Sequence, residues 1–296
     1  MKVGILGSGF MGRTHARSYA KMKGVEVAAI SSRHLEKAET LANEVGGRAT
    51  TDNLAIIDDP SIYAISNTLP THLHAEYTIA ALRAGKHVLL EKPFALTAVA
   101  CDGMIAAQKE NGKVLLVAHV LRFWGDYVSL VDFVQSGKIG KPLSAVATRL
   151  SQLPGWADWF VNPAWSGGAV LDLCVHDFDV LNWIFGAPKS VYARGRELKP
   201  GLWNNIHAVI DYGDSEGFVD CSPLVLGQFM AGQSRRITIG QLIENPKLPK
   251  ALPPGPVSRP SCTKVRILNS SRNCPRNPLS IASCVHSNKL ASQIGL

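Results

Sequence analysis

What this 296-residue chain lacks narrows its function quickly. Its six cysteines, Cys101, Cys174, Cys221, Cys262, Cys274 and Cys284, contain no C-x-x-C pair. That spacing argues against a zinc knuckle or a disulfide framework and for free thiols in a reducing cytosol. No apolar run approaches the roughly 20 residues that cross a bilayer. After Met1-Lys2 only Val3 to Leu6 is apolar, interrupted by Gly4, which is too short for a signal-peptide core. These absences point to a cytoplasmic protein with no membrane partner, and no internal repeat is visible. Acidic residues nearly vanish after Phe229, where ten Lys plus Arg meet a single Glu244, a local charge of +9. The first 228 residues then hold 21 bases and 22 acids, so the overall +8 belongs to the tail. That tail has no aromatic residue and carries eight of the 17 prolines, a composition that cannot easily form a packed core. Without aromatics for base stacking and without a binding motif, its basicity does not make it a nucleic-acid binder.

What is present is an ordinary globular composition, 46% hydrophobic and 18% charged, long enough for two cores. The first half alternates short apolar runs with helical stretches, as βαβ units do. Strands are expected at Lys2–Leu6, Glu26–Ile30, Tyr63–Ser66, His87–Leu90 and Val114–Ala118. Helices are expected at Met11–Met22, Leu35–Glu44, His72–Ala84 and Thr97–Glu110. Right-handed crossovers then give one doubly wound parallel sheet, an α/β fold.

The first turn reads Gly7-Ser8-Gly9-Phe10-Met11-Gly12, a G-x-G-x-x-G between a strand and a helix. Gly7 permits the tight turn, Gly9 lets the backbone approach a pyrophosphate, and Gly12 lets helix and strand pack. The helix N-terminus offers N–H groups to the anion, so the turn reads as a dinucleotide site. The second strand ends Ile30-Ser31-Ser32-Arg33-His34 without the acid that usually receives the ribose of NAD. Two hydroxyls and an arginine suit a 2′-phosphate and favour NADP over NAD, although a solvated loop tolerates either. Thr68, Leu69, Glu91 and Lys92, at the ends of the third and fourth strands, complete the expected cofactor-binding set.

Glu91-Lys92-Pro93 closes a buried strand, an expensive place for charges unless they are paired or used. The carboxyl ends of parallel strands are where such sheets bind ligands. There Lys92 can stabilise charge on a substrate oxygen, while Pro93 stiffens the turn. A second constellation is "SGGAVLDLCVHDFDVLNWIFG", Ser166 to Gly186. At α-helical spacing Asp172, His176 and Asp179 share a face, with Leu171, Val175, Phe178 and Trp183 on the buried side. Asp172 and His176 read as a proton-transfer pair or as a plain surface contact. As metal ligands they have no third partner at a recognisable spacing. Arg149 and Trp159 are candidates for the substrate wall. Trp156, Phe160 and Trp165 cluster nearby in sequence, as sugar-stacking faces or as core. Tyr127 either reaches the site or caps a helix.

Taken in order, the glycine turn, "LPTHLHAEYTIAALRAGKHVLLEKP" (Leu69 to Pro93) and "GGAVLDLCVHDFDVLNWIFG" resemble the Gfo/Idh/MocA oxidoreductases, over Met1 to about Val225. The resemblance implies a Rossmann domain followed by an α/β domain whose open mixed sheet often mediates dimers or tetramers. It implies catalytic roles for Lys92 beside the nicotinamide, Asp172 as substrate-binding or relay acid, and His176 as general acid/base, and it makes Arg122 a substrate-wall residue, matching an arginine near the family's bound sugar. The activity implied is hydride transfer between NAD(P) and a hydroxyl-bearing carbon of a sugar or polyol. An NAD-dependent glycosidase and a ligand-sensing regulator on the same scaffold are the alternatives. Domains are expected at 1–120 (dinucleotide), 121–240 (substrate and oligomerisation) and 241–296 (an atypical basic, proline-rich tail). After "GFVDCSPLV" the pattern departs from the family, as an out-of-frame or strongly diverged terminus would. Arg236–Ile239 and Lys264–Leu268 still read as strands, and "SIASCVHSNKLASQIGL" as a worn closing helix. Cys262, Cys274, Cys284 and His286 lack zinc-finger spacing.

Overall fold

The computed structural model describes residues 1–151, 158–222, 234–240 and 263–267. Trp156, the expected closing helix and the three C-terminal cysteines lie outside the described residues. The chain divides into two compact units, Met1–His119 with Ala164–Ser166, and Val120–Pro163 with Gly167–Leu296.

The first unit runs β1 (Lys2–Leu6), α1 (Phe10–Ala20), β2 (Glu26–Ser31), α2 (Leu35–Val45), β3 (Arg48–Thr50), α3 (Leu54–Ile57), β4 (Ala64–Asn67), α4 (His74–Arg83), β5 (His87–Leu90), α5 (Ala98–Asn111) and β6 (Leu115–Val117). All strand pairs are parallel, in the order β3-β2-β1-β4-β5-β6. The chain reverses direction of growth beside β1, so the ends of β1 and β4 form the crevice where such sheets bind ligands. Ile5, Ala16, Val27, Ile30, Ala38, Leu41 and Ala42 form a buried cluster between the strands and α1–α2. Gly4 interrupts the apolar run for a packing reason, since a Cβ there would lie 2.3 Å from Ile56 Cγ2. Every expected strand and helix of this half is present within one or two residues at each end. β3 and α3, of three and four residues, were not expected because their periods are too short to read.

The second unit contains α6 (Gly125–Gln135), β7 (Ser144–Leu150), α7 (Pro163–Ser166, which straddles the boundary), a π-helical turn (Val170–Cys174) and α8 (Val175–Phe185). It continues with β8 (Ser190–Lys199), β9 (Leu202–Asp211), β10 (Glu216–Ser222), β11 (Ser234–Gly240) and β12 (Thr263–Ile267). The sheet is mixed, in the order β12-β11-β7-β10-β9-β8, with β7–β10 and β11–β12 parallel. Both expected strands beyond residue 230 are therefore part of it. Burial alternates along β7, β9 and β10, so one face is covered. α8 packs on β7 and β10. Among the described residues no helix is long and apolar enough to cross a membrane.

Candidate active site

In the first unit the site is built from turns at strand ends. Gly7 has φ +100°, a conformation that favours glycine, and its N–H donates to Ser31 O at 3.1 Å. A Cβ on Gly12 would sit 2.0 Å from Gly7 O, so only glycine lets α1 approach the turn. A Cβ on Gly9 would meet nothing within 4 Å, so the protein itself places no atom over this residue. The first turn of α1 holds no acid and no capping side chain, Phe10 is exposed and Met11 half-buried. Open space over bare backbone at an uncapped, acid-free helix start fits a pyrophosphate. Thr68 secures the turn from β4, its hydroxyl donating to Leu6 O at 2.8 Å and lying 3.2 Å from Gly7 O. Leu69 N–H donates to Asn67 Oδ1 at 3.3 Å.

The end of β2 corrects one expectation. Ser31 is fully buried, and its hydroxyl lies 2.5 Å from Asn53 Oδ1, so it is not available to a 2′-phosphate. As the last strand residue it points into the layer rather than at the ligand. Ser32 Oγ accepts from His34 N at 3.3 Å, a local turn, and Arg33 is exposed. Beyond β4, the His72 ring stacks on Trp165 with centroids 5.1 Å apart, and both residues belong to the first unit. Burial lowers the His72 pKa, and the Arg33 charge adds to that effect.

Glu91 is buried directly after β5, with Lys92 half-buried beside it. The Glu91 carboxylate lies 3.0 Å from His15 Nε2 and accepts from Lys92 N–H at 3.1 Å. His15 Nδ1 in turn lies 2.7 Å from Ser66 Oγ. Pro93 O lies 2.8 Å from Nδ1 of the buried His74, whose Nε2 lies 2.9 Å from Leu69 O. The acid of the E-K-P turn is thus met by a side chain of the helix that begins at the glycine turn.

In the second unit Asp172 lies in the π turn and His176 in the first turn of α8, both half-buried. The wider i→i+5 winding of the π turn breaks the α-helical spacing assumed for Asp172, His176 and Asp179. Asp179 is buried and receives Arg122 Nε and Nη2 at 2.7 and 2.9 Å. The same guanidinium lies 5.2 Å from the Trp183 ring centroid, a cation–π distance. Arg149, on β7 and 2% exposed, donates Nε and Nη2 to Asp177 at 2.6 and 2.7 Å. Burial opposes its charge, but the attraction and hydrogen bonds of Asp177 outweigh that and raise its pKa. Two expected substrate-wall arginines are therefore used as counterions of buried aspartates. A buried carboxylate demands a partner, and the planar bidentate guanidinium is the best one available. Trp159 is half-buried with its ring edge-on to the buried Phe160 at 6.2 Å, and Tyr127 is buried in α6. Gly167 and Gly168 both have positive φ, and Ala169 N–H donates to Asn204 Oδ1 at 3.2 Å, which sets where the π turn starts.

Residues 1–119 match the family described as "Oxidoreductase family, NAD-binding Rossmann fold", and residues 127–239 match the "GFO/IDH/MocA C-terminal domain". The chain belongs to the Gfo/Idh/MocA family. It is 34% identical over 186 residues to a 1,5-anhydro-D-fructose reductase of Ensifer adhaerens, covering 61% of this chain and 55% of that one. It is 31% identical over 200 residues to a myo-inositol 2-dehydrogenase of Thermotoga maritima, covering 67% and 59%. Among solved structures, levoglucosan dehydrogenase in complex with NADH and levoglucosan superposes with a TM-score of 0.71 at 28% identity, covering 77% and 68%. The chain spans little more than half the length of the curated relatives it matches.

Four residues whose side chains hold the turns described above were not singled out by sequence: His15, Asn53, Ser66 and His74. A signal existed for His15, because an acid closing a buried strand requires a partner. His74 and Asn53 had no such signal, because His74 meets backbone carbonyls, which every residue carries, and Asn53 meets one serine hydroxyl among many.

Proposed function

We propose that the chain is a cytoplasmic NAD(P)-dependent oxidoreductase that moves a hydride between nicotinamide and a hydroxyl-bearing carbon of a sugar, polyol or related compound. The observation that carries this reading is Lys92 at the carboxyl end of β5, two strands from a glycine turn whose open side suits a pyrophosphate. The names of the relatives, for anhydrofructose, inositol and levoglucosan, support a cyclic polyhydroxy substrate. When bound, the nicotinamide supplies or accepts the hydride. Gly7, Gly9 and Gly12 hold the pyrophosphate against the first turn of α1. Lys92 Nζ donates to the substrate oxygen and stabilises its developing charge. His176 takes the proton of a substrate hydroxyl in oxidation and returns it in reduction, and Asp172 orients His176 or binds a neighbouring hydroxyl.

Preference for NADP is supported by the exposed Arg33 and by the absence of an acid at the end of β2. Ser32 and Arg33, without Ser31, are the residues proposed to meet the 2′-phosphate. Self-association as a dimer or tetramer is supported by one apolar row on the second sheet, where Tyr192, Val209, Phe218 and Val146 lie in register across β8, β9, β10 and β7. Three of these, Tyr192, Val209 and Val146, are exposed. A screen of sugars and polyols in both directions, followed at the nicotinamide absorbance with NAD and NADP, tests the activity. Turnover of at least one cyclic polyol is the expected result; cofactor binding with no turnover on the whole panel contradicts it and favours a sensor.

A further inference from the structure

Lys92 is flanked by two residues, and a histidine holds each of them. On one side the Glu91 carboxylate meets His15 Nε2 at 3.0 Å, with side-chain exposures of 6% and 11%. The far nitrogen of that ring lies 2.7 Å from Ser66 Oγ on β4, and Ser66 is fully buried. On the other side Pro93 O lies 2.8 Å from His74 Nδ1, and His74 Nε2 lies 2.9 Å from Leu69 O. A neutral His74 ring donates to one of these two carbonyls and stands against the other, between the turn after β4 and the turn after β5. His15 belongs to the helix that the glycine turn opens, and His74 opens the helix after the Leu69 turn. The three turns expected to touch the cofactor are therefore joined to one another at the residues on either side of Lys92.

A core needs neither imidazole for its apolar packing. What the two rings add is direction. A lysine side chain has four rotatable bonds, and a misplacement of about 1 Å at a reacting group lowers rate by about 100-fold. Fixing the backbone on both sides of the lysine is the economical way to limit that error.

We propose that His15 and His74 are positioning residues for Lys92, acting through Glu91 and Pro93 to fix the lysine relative to the glycine turn and the Leu69 turn. The inference rests on the oxidoreductase reading for its effect on turnover, but its structural part stands apart from it.

The test uses the full chain carrying His15→Leu, His74→Leu, His15→Gln or Ser66→Ala. Glutamine keeps an N–H near the imidazole Nε2 position, and Ser66→Ala removes only the hydroxyl that orients His15. Lys92 is followed in the cofactor-free protein by ¹³C NMR of its reductively methylated amine, assigned with Lys92→Arg. NADH and NADPH affinities, thermal midpoints, kcat and KM are measured alongside. In His15→Leu and His74→Leu, the Lys92 resonance should shift or broaden and kcat should fall about 10- to 100-fold, with cofactor affinity and KM within about threefold. His15→Gln should recover most of that loss. Ser66→Ala should retain the fold and lose about three- to tenfold in kcat. A parent-like Lys92 resonance and kcat in the leucine variants overturn the proposal, as does a His15→Gln variant no better than His15→Leu. If the leucine variants do not fold, a parent-like Ser66→Ala resonance and kcat overturn it. If the parent turns over nothing, the Lys92 resonance still decides the positioning while the function fails separately.

Discussion

The two units satisfy their buried polar groups in opposite ways. In the first, side chains mostly serve backbone: Lys86 Nζ donates to Asp59 O and Ile62 O, Thr68 to Leu6 O, and His74 lies between Pro93 O and Leu69 O. In the second, buried charges serve each other, as Arg122 with Asp179 and Arg149 with Asp177. Backbone-anchored side chains set the shape of turns, and turns are where the first unit presents its ligand groups. Charge pairs instead fasten elements, here the segment Val120–Phe123 and strand β7 to α8, leaving Asp172 and His176 on a helix whose orientation is fixed by two bidentate clamps. The first arrangement tolerates loss of one hydrogen bond. The second does not tolerate loss of one charge.

The sharpest way to break this contrast is Arg149→Met. It strands Asp177 in a site with almost no solvent, and removing one partner of such a pair costs about 3–5 kcal/mol. A marked drop in the urea midpoint is expected, and replacing both residues with apolar ones should recover most of it. Equal stability of the single and double variants would show that the pair is not what fastens β7 to α8. Next in size is Gly12→Ala, where the new Cβ meets Gly7 O and the overpacking costs about 1–3 kcal/mol. Cofactor affinity should fall in the same variant, because the turn that shifts is the one proposed to hold the pyrophosphate. Retained affinity in titrations of NADH fluorescence would count against that role.

Smaller still is Arg33→Asp. Arg33 is exposed, so solvent screens the reversal and about a tenfold loss in NADPH affinity is expected, with NADH affinity nearly unchanged. Parallel losses for both cofactors would remove the basis for NADP preference. The smallest effect belongs to Asp59, on the surface of the first unit. Hydrogen bonds from the Ser61 hydroxyl and backbone, then Arg48, pull its pKa to about 2. A depressed carboxyl stabilises the fold above the ordinary carboxylate range and stops doing so as pH falls through the depressed value. Asp59→Asn should therefore melt below the parent near about pH 6, with the gap closing between about pH 4 and pH 2.

Legibility followed the same division. The parallel sheet, the glycine turn and the E-K-P turn could be read because their signals are local in sequence: an apolar run, a glycine spacing, a proline. Arg122 and Asp179 stand 57 residues apart, Arg149 and Asp177 stand 28 apart, and nothing in either neighbourhood marks them as partners. Both arginines looked available for a substrate because a sequence shows charge and hides burial. Ser31 misled for a related reason, since a strand's last residue points inward or outward by a register that one residue of slip reverses. The π turn at Val170–Cys174 was hidden because apolar residues at Val170, Leu171, Cys174 and Val175 suit an α-helical stripe equally well.

Lys92→Met gives the most direct test of the central claim, that Lys92 stabilises charge on a substrate oxygen at the end of β5. The substitution keeps the side chain's length and removes its charge, so NADH and NADPH should bind within a few-fold of the parent. On the best substrate from the polyol screen, kcat should fall by about 10²–10³. Turnover within a few-fold of the parent, with cofactor binding intact, would contradict the account.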